Sequence, residues 1–429
     1  MSKMPRSLQV EVTNNCNFTC IMCVRRTWKD EKYGLLSPRL FSKIVDEIDD
    51  ALERLALYGF GEPLLHPELP AFIKEYREKH GSSTHILVVT NGSLATPELV
   101  DKLFRNGLNE LVFSIDSNDL VKLNKIRVGV SQYSLTLFQH LAESVKIASK
   151  YDGKISIATV LMRENLAELP SLVDKAVELG ISELTISHLV TYTSTLADQI
   201  LYSLSSEYPV RLIEDIGLEK WEKISHLAFR ETVKSQYSSQ ELKWHTIYNE
   251  IYNKAVEKGY SLNIFNIRQA LERKNILEET IRILDEAKAK GKERGLIINA
   301  PGVYADALKR TCPYIDKDYA YIRYDGLVSP CMDLAYEHPL FINNHYKIIR
   351  RVIFGNLWRE HLRDIWLKPE YVKFRNTRKE FSKNIPWCSD CNLSTFNCWY
   401  VDENIFDCYG NEVGCSECIY AAGLAKCII

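Results

Sequence analysis

Charge of one sign is what this sequence has least of. Its 54 Lys and Arg residues oppose 56 Asp and Glu, for a formal net charge of −2 over 429 residues. The basic residues are interspersed with acidic ones, so no electrostatic footprint for a nucleic-acid backbone exists and no nucleic-acid partner is expected. A run of eighteen apolar residues is also missing, as is an apolar signal region after Met1. These absences argue against a membrane partner and lead us to expect a cytoplasmic protein. Cysteine does not occur between Cys23 and Cys312: three of the twelve cysteines lie before that gap and nine after it. In a reducing compartment thiols more often hold metal than form disulfides, so the segregation predicts two metal-rich ends separated by a scaffold. The length suggests two or three domains.

What is present begins with V-T-N-N-C-N-F-T-C-I-M-C-V-R (Val12 to Arg25), which spaces Cys16, Cys20 and Cys23 as C-x3-C-x2-C. Soft thiolates select zinc, copper or iron–sulfur clusters, and a structural zinc site closes with four ligands. No fourth Cys or His lies near, the next histidine being His66. Three thiolates therefore suggest a cluster with one iron left open to bind another molecule, with a zinc knuckle as the alternative. The alternating L-Q-V-E-V-T run ahead of the loop reads as a strand, which puts the loop where an α/β barrel carries its chemistry.

Strand and helix signals then alternate. Ser37-Pro38 opens an apolar-periodic helix through Leu40, Ile44, Ile48 and Leu52, and a strand from Arg54 to Tyr58 ends in G-F-G-E-P, Gly59 to Pro63. A second helix closes near Gly81. The strand H-I-L-V-V-T leads into Thr90-Asn91-Gly92 and a helix from Pro97 to Asn106. Further strands are read at Glu110 to Asp116, Ile155 to Leu161 and Glu183 to Leu189, with helices through Leu137 to Ile147 and Leu172 to Leu179. Six strand–helix units imply parallel pairing through right-handed crossovers. Cys16, Glu62, Asn91, Ser114 and Asp116 all follow or end a strand, the position barrels reserve for function. From Thr191 to Gly295 the pattern is helical, and its aromatic residues Trp221, Trp244 and Tyr248 read as packing between helices.

The cysteine triplet with these segments resembles the radical S-adenosylmethionine (SAM) superfamily. That resemblance implies an α/β partial (β/α)6 barrel and a [4Fe–4S] cluster on Cys16, Cys20 and Cys23 whose open iron takes the amino and carboxylate groups of SAM. One electron then releases methionine and a 5′-deoxyadenosyl radical. G-F-G-E-P looks like the family's G-G-E-P segment, with Phe60 between the glycines, so Gly61 and Glu62 are expected to receive the SAM amine. Asn91, Ser114 and Asp116 are the other expected SAM contacts, although Asn91 also suits a plain Asn-Gly turn. Val160 to Asn165 looks like the family's adenine contact. Met22 stands where the family often has an aromatic residue, and is apolar and adaptable enough to pack there.

The C-terminal cysteines resemble a SPASM domain with auxiliary [4Fe–4S] clusters. Cys312, Gly326 and Cys331 give C-x13-G-x4-C around a hairpin Y-A-Y-I-R-Y-D-G, followed by F-G-N-L-W-R-E-H-L-R-D-I-W and Cys388-x2-Cys391. Two clusters require eight thiolates and nine cysteines are present. The expected ligands are Cys312, Cys331, Cys388, Cys391, Cys408, Cys415, Cys418 and Cys427. Cys398 is the expected odd thiol because its spacing departs most, with Cys427 competing. Zinc ribbons are the other reading of the Cys388/Cys391 and Cys415/Cys418 pairs.

The tail from Asp402 to Cys427 resembles the maturases associated with tungsten-containing aldehyde ferredoxin oxidoreductases. It implies maturation of a pterin-based tungsten cofactor or of its host protein, with a protein or cofactor-precursor substrate and a low-potential electron donor such as ferredoxin. A peptide- or protein-modifying SPASM maturase is the alternative enzyme. An iron–sulfur electron-transfer module is the non-enzyme alternative, which leaves the G-E-P and S-I-D segments unexplained. The expected division is a barrel over 1–190, a helical insert over 191–307 and a SPASM-like domain over 308–429.

Overall fold

The computed structural model describes residues 3–48, 52–133, 136–236, 242–395 and 398–429. Its spine is a parallel run of β1 (Ser7–Val10), β2 (Arg54–Ala56), β3 (His85–Thr90), β4 (Glu110–Ser114), β5 (Lys154–Leu161) and β6 (Glu183–His188), adjacent in chain order. The crossovers carry α1 (Pro38–Glu47), α2 (Leu69–His80), α3 (Pro97–Arg105), α4 (Leu120–Ile126), α5 (Leu137–Ala148) and α6 (Leu169–Glu178). Local chemistry sets their ends. Ser37 Oγ accepts from Leu40 N, Thr96 Oγ1 from Leu99 N and Asp119 Oδ1 from Val121 N, with proline at the first turn of α1 and α3. Each such cap contributes about 1 kcal/mol. Gly81 ends α2 at φ 72°, a conformation that favours glycine.

Strands β1, β3, β4 and β5 are buried almost throughout, as parallel strands covered on both faces are, and β6 follows period two. Leu184, Ile186 and His188 on one face of β6 are buried, whereas Thr185 and Ser187 on the other are half-buried. The expected strands and the α/β architecture are realised, whereas the alternation read ahead of the cysteine loop becomes continuous burial in β1, which has strands on both sides.

Both edges of the sheet extend beyond the six expected strands. Beside β6 lies β8 (Ile297–Asn299), with Glu183 opposite Ile297, and beside β1 lies β10 (Tyr319–Ile322), with Ser7 opposite Tyr319. Both pairings are parallel. The helical region thus leaves the sheet after β6, passes through β7 (Ser203–Ser206), α7 (Glu207–Ile216), α8 (Leu218–Ser235), α9 (Lys243–Glu257), α10 (Ile264–Glu272) and α11 (Lys274–Arg294), and returns as β8. β7 pairs with β9 (Tyr304–Ala305) outside the main sheet. Trp221 of α8 stacks on Tyr248 of α9 with centroids 5.0 Å apart, packing between helices as read from the sequence. β8 has three residues, too few for an alternation signal.

After β10 the chain turns at Gly326 (φ 88°) into antiparallel β11 (Leu327–Ser329), the expected hairpin. β12 (His338–Ile342) and β13 (His345–Ile349) form a ribbon joined by Asn343 and Asn344, both at positive φ as a two-residue hairpin turn requires. The short α12 (Pro313–Asp316) precedes β10; beyond β14 (Gly355–Asn356) come α13 (Leu362–Leu367), α14 (Pro369–Lys379) and α15 (Phe381–Asn384), and the last thirty residues are mostly turns and bends. The tail returns across the strand ends: His188 N donates to Leu424 O, Lys426 N to Ser187 Oγ, and Tyr58 Oη to Ile428 O at 2.7 Å. Among the described residues no helix is long and apolar enough to cross a membrane.

Candidate active site

The first cysteine loop leaves β1 and is pinned from two sides. On one side Thr19 N donates to Val128 O and Ile21 N to Ile126 O, both at 2.9 Å. On the other, Asn91 Nδ2 donates to Asn17 Oδ1 at 2.9 Å and lies 3.7 Å from Cys16 Sγ, while Asn17 Nδ2 donates to Ser93 Oγ at 2.8 Å. Asn91 Oδ1 in turn accepts from Ser93 N. Asn91 is thus both the turn residue and the tie between β3 and the loop, and its side chain is engaged within the protein.

The three thiols crowd one another. Burial pushes Cys20 up to about 12, with the Arg127 guanidinium acting against that rise and Cys23 and Cys16 adding to it. Burial likewise raises Cys16 and Cys23, opposed in both cases by the positive charge of Arg25. Such thiols stay protonated unless a cation joins them, and a metal centre supplies that charge and deprotonates its ligands. The donor set fits an iron–sulfur cluster in this respect. Among the described residues, no three His, Cys, Asp or Glu side chains close on a point that could hold a single ion.

G-F-G-E-P is held against this loop by close backbone approach. A Cβ on Gly61 would fall 2.3 Å from Thr13 O and 2.4 Å from Asn15 O, and Glu62 N donates to Asn15 O at 2.7 Å. A side chain at Gly59 would collide with Glu11. Phe60 packs edge-on against Trp28 and Tyr336. The glycines therefore answer to packing on the exit of β1.

The Glu62 carboxylate, 1% exposed, accepts from Leu64 N at 3.0 Å and Thr90 Oγ1 at 2.7 Å on Oε1, and from Asn91 N at 2.6 Å on Oε2. Burial outweighs these bonds and raises its pKa to about 6. A carboxylate offers about four acceptor positions, so one remains, on Oε2.

Ser114 and Asp116 diverge. Ser114 lines a cavity of about 190 Å³ together with Met22, Arg127, Tyr192, Tyr420 and Lys426. Asp116 instead faces Arg127, with Oδ2 2.7 Å from Nε and Oδ1 3.1 Å from Nη2, and accepts from Val160 N at 2.8 Å. The expectation that both side chains meet SAM therefore fits Ser114 better: Asp116 is committed to bracing Arg127. Met22 packs in an apolar cluster with Ile126, Met162 and Leu189. Val160 lines the cavity, while Asn165 Oδ1 accepts from Met162 N and its Nδ2 donates to Asp116 O.

Arg127 was not anticipated. Nothing in K-I-R-V-G separates it from Lys122 or Lys125 on the same helix, which stay at the surface. Tyr192, Tyr420 and Lys426 were missed as well, because they reach the cavity from segments far apart in the chain.

The nine C-terminal cysteines fall into two sets. Cys312, Cys331, Cys415, Cys418 and Cys427 line one cavity of about 170 Å³. Cys388 and Cys391 sit in a turn closed by Cys391 N donating to Cys388 O, and Cys408 feels the charges of Cys391 and Cys398. Cys398 is thus beside Cys391 and Cys408 despite its longer spacing. Cations accompany both sets. Arg378 Nε lies 3.3 Å from Cys415 Sγ, and buried Lys347 pairs with Glu417 at 3.0 Å next to Cys388 and Cys415. Buried positive charge suits thiolate-rich clusters.

Residues 10–176 match the family model of the Radical SAM superfamily, and residues 312–392 match that of the SPASM iron–sulfur cluster-binding domain. The chain is a radical SAM enzyme. As such it uses SAM and a [4Fe–4S] cluster, and its SPASM domain adds auxiliary iron–sulfur binding. It is 26% identical over 428 residues, 98% of this chain and 97% of the relative, to the tungsten-containing aldehyde ferredoxin oxidoreductase cofactor-modifying protein of Pyrococcus furiosus. It is 27% identical to the AdoMet-dependent heme synthase of Methanosarcina barkeri over 42% of this chain and 49% of that one. Among solved structures, Streptococcus suis SuiB bound to S-adenosylmethionine superposes with TM-score 0.55 at 14% identity, covering 92% of this radical SAM enzyme and 72% of SuiB. That likeness is one of fold.

Proposed function

We propose that this enzyme acts in the maturation of a pterin-based tungsten cofactor or of the aldehyde ferredoxin oxidoreductase that carries it. The supporting observation is the extent of the match to the Pyrococcus furiosus cofactor-modifying protein, which runs through the helical region and the tail as well as the barrel. The match to the heme synthase covers less than half of this chain.

In this reading residues 1–190 are the catalytic core, 191–307 the helical insert and 308–429 the auxiliary-cluster domain. Cys16, Cys20 and Cys23 would hold the [4Fe–4S] cluster, and the cluster with SAM would supply the 5′-deoxyadenosyl radical chemistry. Around it the chain positions and excludes water. Gly61 lets the Glu62 segment lie against the cysteine loop, and the remaining acceptor position of Glu62 takes the SAM ammonium. Asn91 holds the loop to β3, Asp116 fixes Arg127 beside the thiols, and Ser114 offers a hydroxyl to SAM from the cavity wall. The apolar patch of Met22, Ile126, Met162 and Leu189 keeps solvent away from the loop. Eight of the nine C-terminal cysteines hold two auxiliary [4Fe–4S] clusters. A low-potential ferredoxin supplies the electron, and the protein works in the cytoplasm.

The test is anaerobic incubation of the reconstituted enzyme with SAM, a reductant and either a pterin cofactor precursor or the immature tungsten oxidoreductase. Formation of 5′-deoxyadenosine with a mass change in the cofactor fraction or in the tungsten oxidoreductase is the expected result. 5′-Deoxyadenosine formed with neither changed in mass would favour the peptide- or protein-modifying reading on another polypeptide, and no 5′-deoxyadenosine with either would overturn both.

A further inference from the structure

Nine thiols divide here as five and four, and a four-iron cube binds four cysteines. The set of Cys388, Cys391, Cys398 and Cys408 is complete at four. The other set has one thiol too many.

Two observations separate Cys427 from its neighbours. Cys312, Cys331, Cys415 and Cys418 are carried by the SPASM region itself: Cys312 caps α12, Cys331 follows β11, and Cys415 and Cys418 share a turn in which Cys418 N donates to Cys415 O. Thr311 N donates to Ala421 O, which brings the first of them to the turn. The residues on either side of Cys427 are held by the barrel, through Lys426 N on Ser187 Oγ and Tyr58 Oη on Ile428 O, with Lys317 Nζ donating to Ile429 O beyond them. Its two neighbours, Lys426 and Ile428, line the barrel cavity that contains Ser114, and Cys427 itself lines only the cysteine cavity of these two. It packs with Cys312 and Cys331 on the buried cluster of Tyr314, Tyr319 and Tyr336. The tail is thus a partition between the two cavities, with Cys427 on the auxiliary-cluster side.

We infer that Cys312, Cys331, Cys415 and Cys418 hold one auxiliary cluster and that Cys427 is a non-ligand thiol beside it, a positioning residue donating an S–H hydrogen bond to the cluster's sulfur shell. Donors to cluster sulfurs stabilise the more negative, reduced state and raise the potential. The inference rests on the reading of two auxiliary clusters given above. Through this contact the end of the chain that walls the SAM-side cavity also tunes the nearer auxiliary cluster.

The test compares the full-length wild type with C427A, C427S and C418A, each reconstituted anaerobically. Iron and sulfide per chain are measured first, then the midpoint potentials of the auxiliary clusters by EPR-monitored titration. The wild type, C427A and C427S should each hold about twelve irons, whereas C418A loses its site and falls to about eight. The auxiliary potential should move to more negative values in C427A, and less so in C427S, which keeps a donor. C427S is close to cysteine in size and serves the same comparison where C427A does not fold. A loss of about four irons, or an oxygen-ligated cluster spectrum in C427S, would make Cys427 a ligand and overturn the inference. Full iron with unmoved potentials in the Cys427 variants would overturn it too. A wild type with about four irons would overturn the two-cluster reading itself, a separate outcome.

Discussion

Replacing Glu62 by Gln tests the centre of the proposed SAM site, because the structure gives that carboxylate two competing duties. Three internal donors occupy Oε1 and one position of Oε2, leaving one position for the SAM ammonium. A hydrogen bond to a charged group contributes roughly 1.5–3 kcal/mol, so E62Q should weaken SAM binding by about ten- to a hundredfold. The amide also turns a donor toward Asn91 N or Leu64 N, and one unpaired buried N–H costs roughly 1–3 kcal/mol. Against that, the substitution removes a buried charge. With the folded pKa raised to about 6 from 4.5, ionisation of Glu62 costs the ligand-free fold about 2 kcal/mol. The sign follows: Glu62's contribution to stability is intact below about pH 4.5 and declines as pH rises through 6, and E62Q lacks that decline. The two stability effects nearly cancel at pH 7, so an affinity loss is not a folding artefact. SAM affinity should rise with pH through about 6 in the wild type and be flat in E62Q. Calorimetry on reconstituted protein from pH 5.5 to 8, with iron content as the control, measures both. Equal affinity in E62Q and wild type at full iron content would show that Glu62 only ties β2 to β3.

Three further outcomes are expected. Gly61→Ala forces a methyl against Thr13 O and Asn15 O, an overpacking that costs roughly 1–3 kcal/mol and displaces the cysteine loop; a lower Tm with reduced cluster loading measures it. Arg127→Met strands Asp116 in the interior at a cost of about 3–5 kcal/mol, seen as a lowered denaturation midpoint that the added D116N change partly restores; an unaltered midpoint would show the pair to be dispensable. Changing Cys16, Cys20 and Cys23 together to Ala should leave about eight irons and abolish 5′-deoxyadenosine formation; retained formation refutes the N-terminal assignment.

Sequence legibility ended where local pattern ended. Strands β1 to β6 were readable because each alternates or runs apolar for several residues, and α1, α3, α5 and α6 because Ser37-Pro38, Pro97 and apolar periodicity announce them; the short α4 had no such signal. Glu62 and Asn91 do lie against the cysteine loop at strand ends, but other partners were not legible: that Asp116 turns to Arg127 depends on a fold-back of eleven residues no periodicity records. Local spacing did not show that Cys398 lies beside Cys391 and Cys408, since a loop can lengthen without moving the thiol that follows it. Tyr192, Tyr420 and Lys426 meet in one cavity only because the tail recrosses the strand ends.

The pairing of Ser7 with Tyr319 has a consequence for biosynthesis. During synthesis, the outer edge of β1 has no ladder partner until more than three hundred further residues have emerged. For that interval the nascent chain carries an open, largely apolar strand edge, the kind that invites pairing with another molecule. Loop-closure entropy over so long a separation also makes the step slow. Chaperone dependence and aggregation during expression should therefore track the arrival of β10, and chains truncated before Tyr319 should be markedly less soluble than the whole.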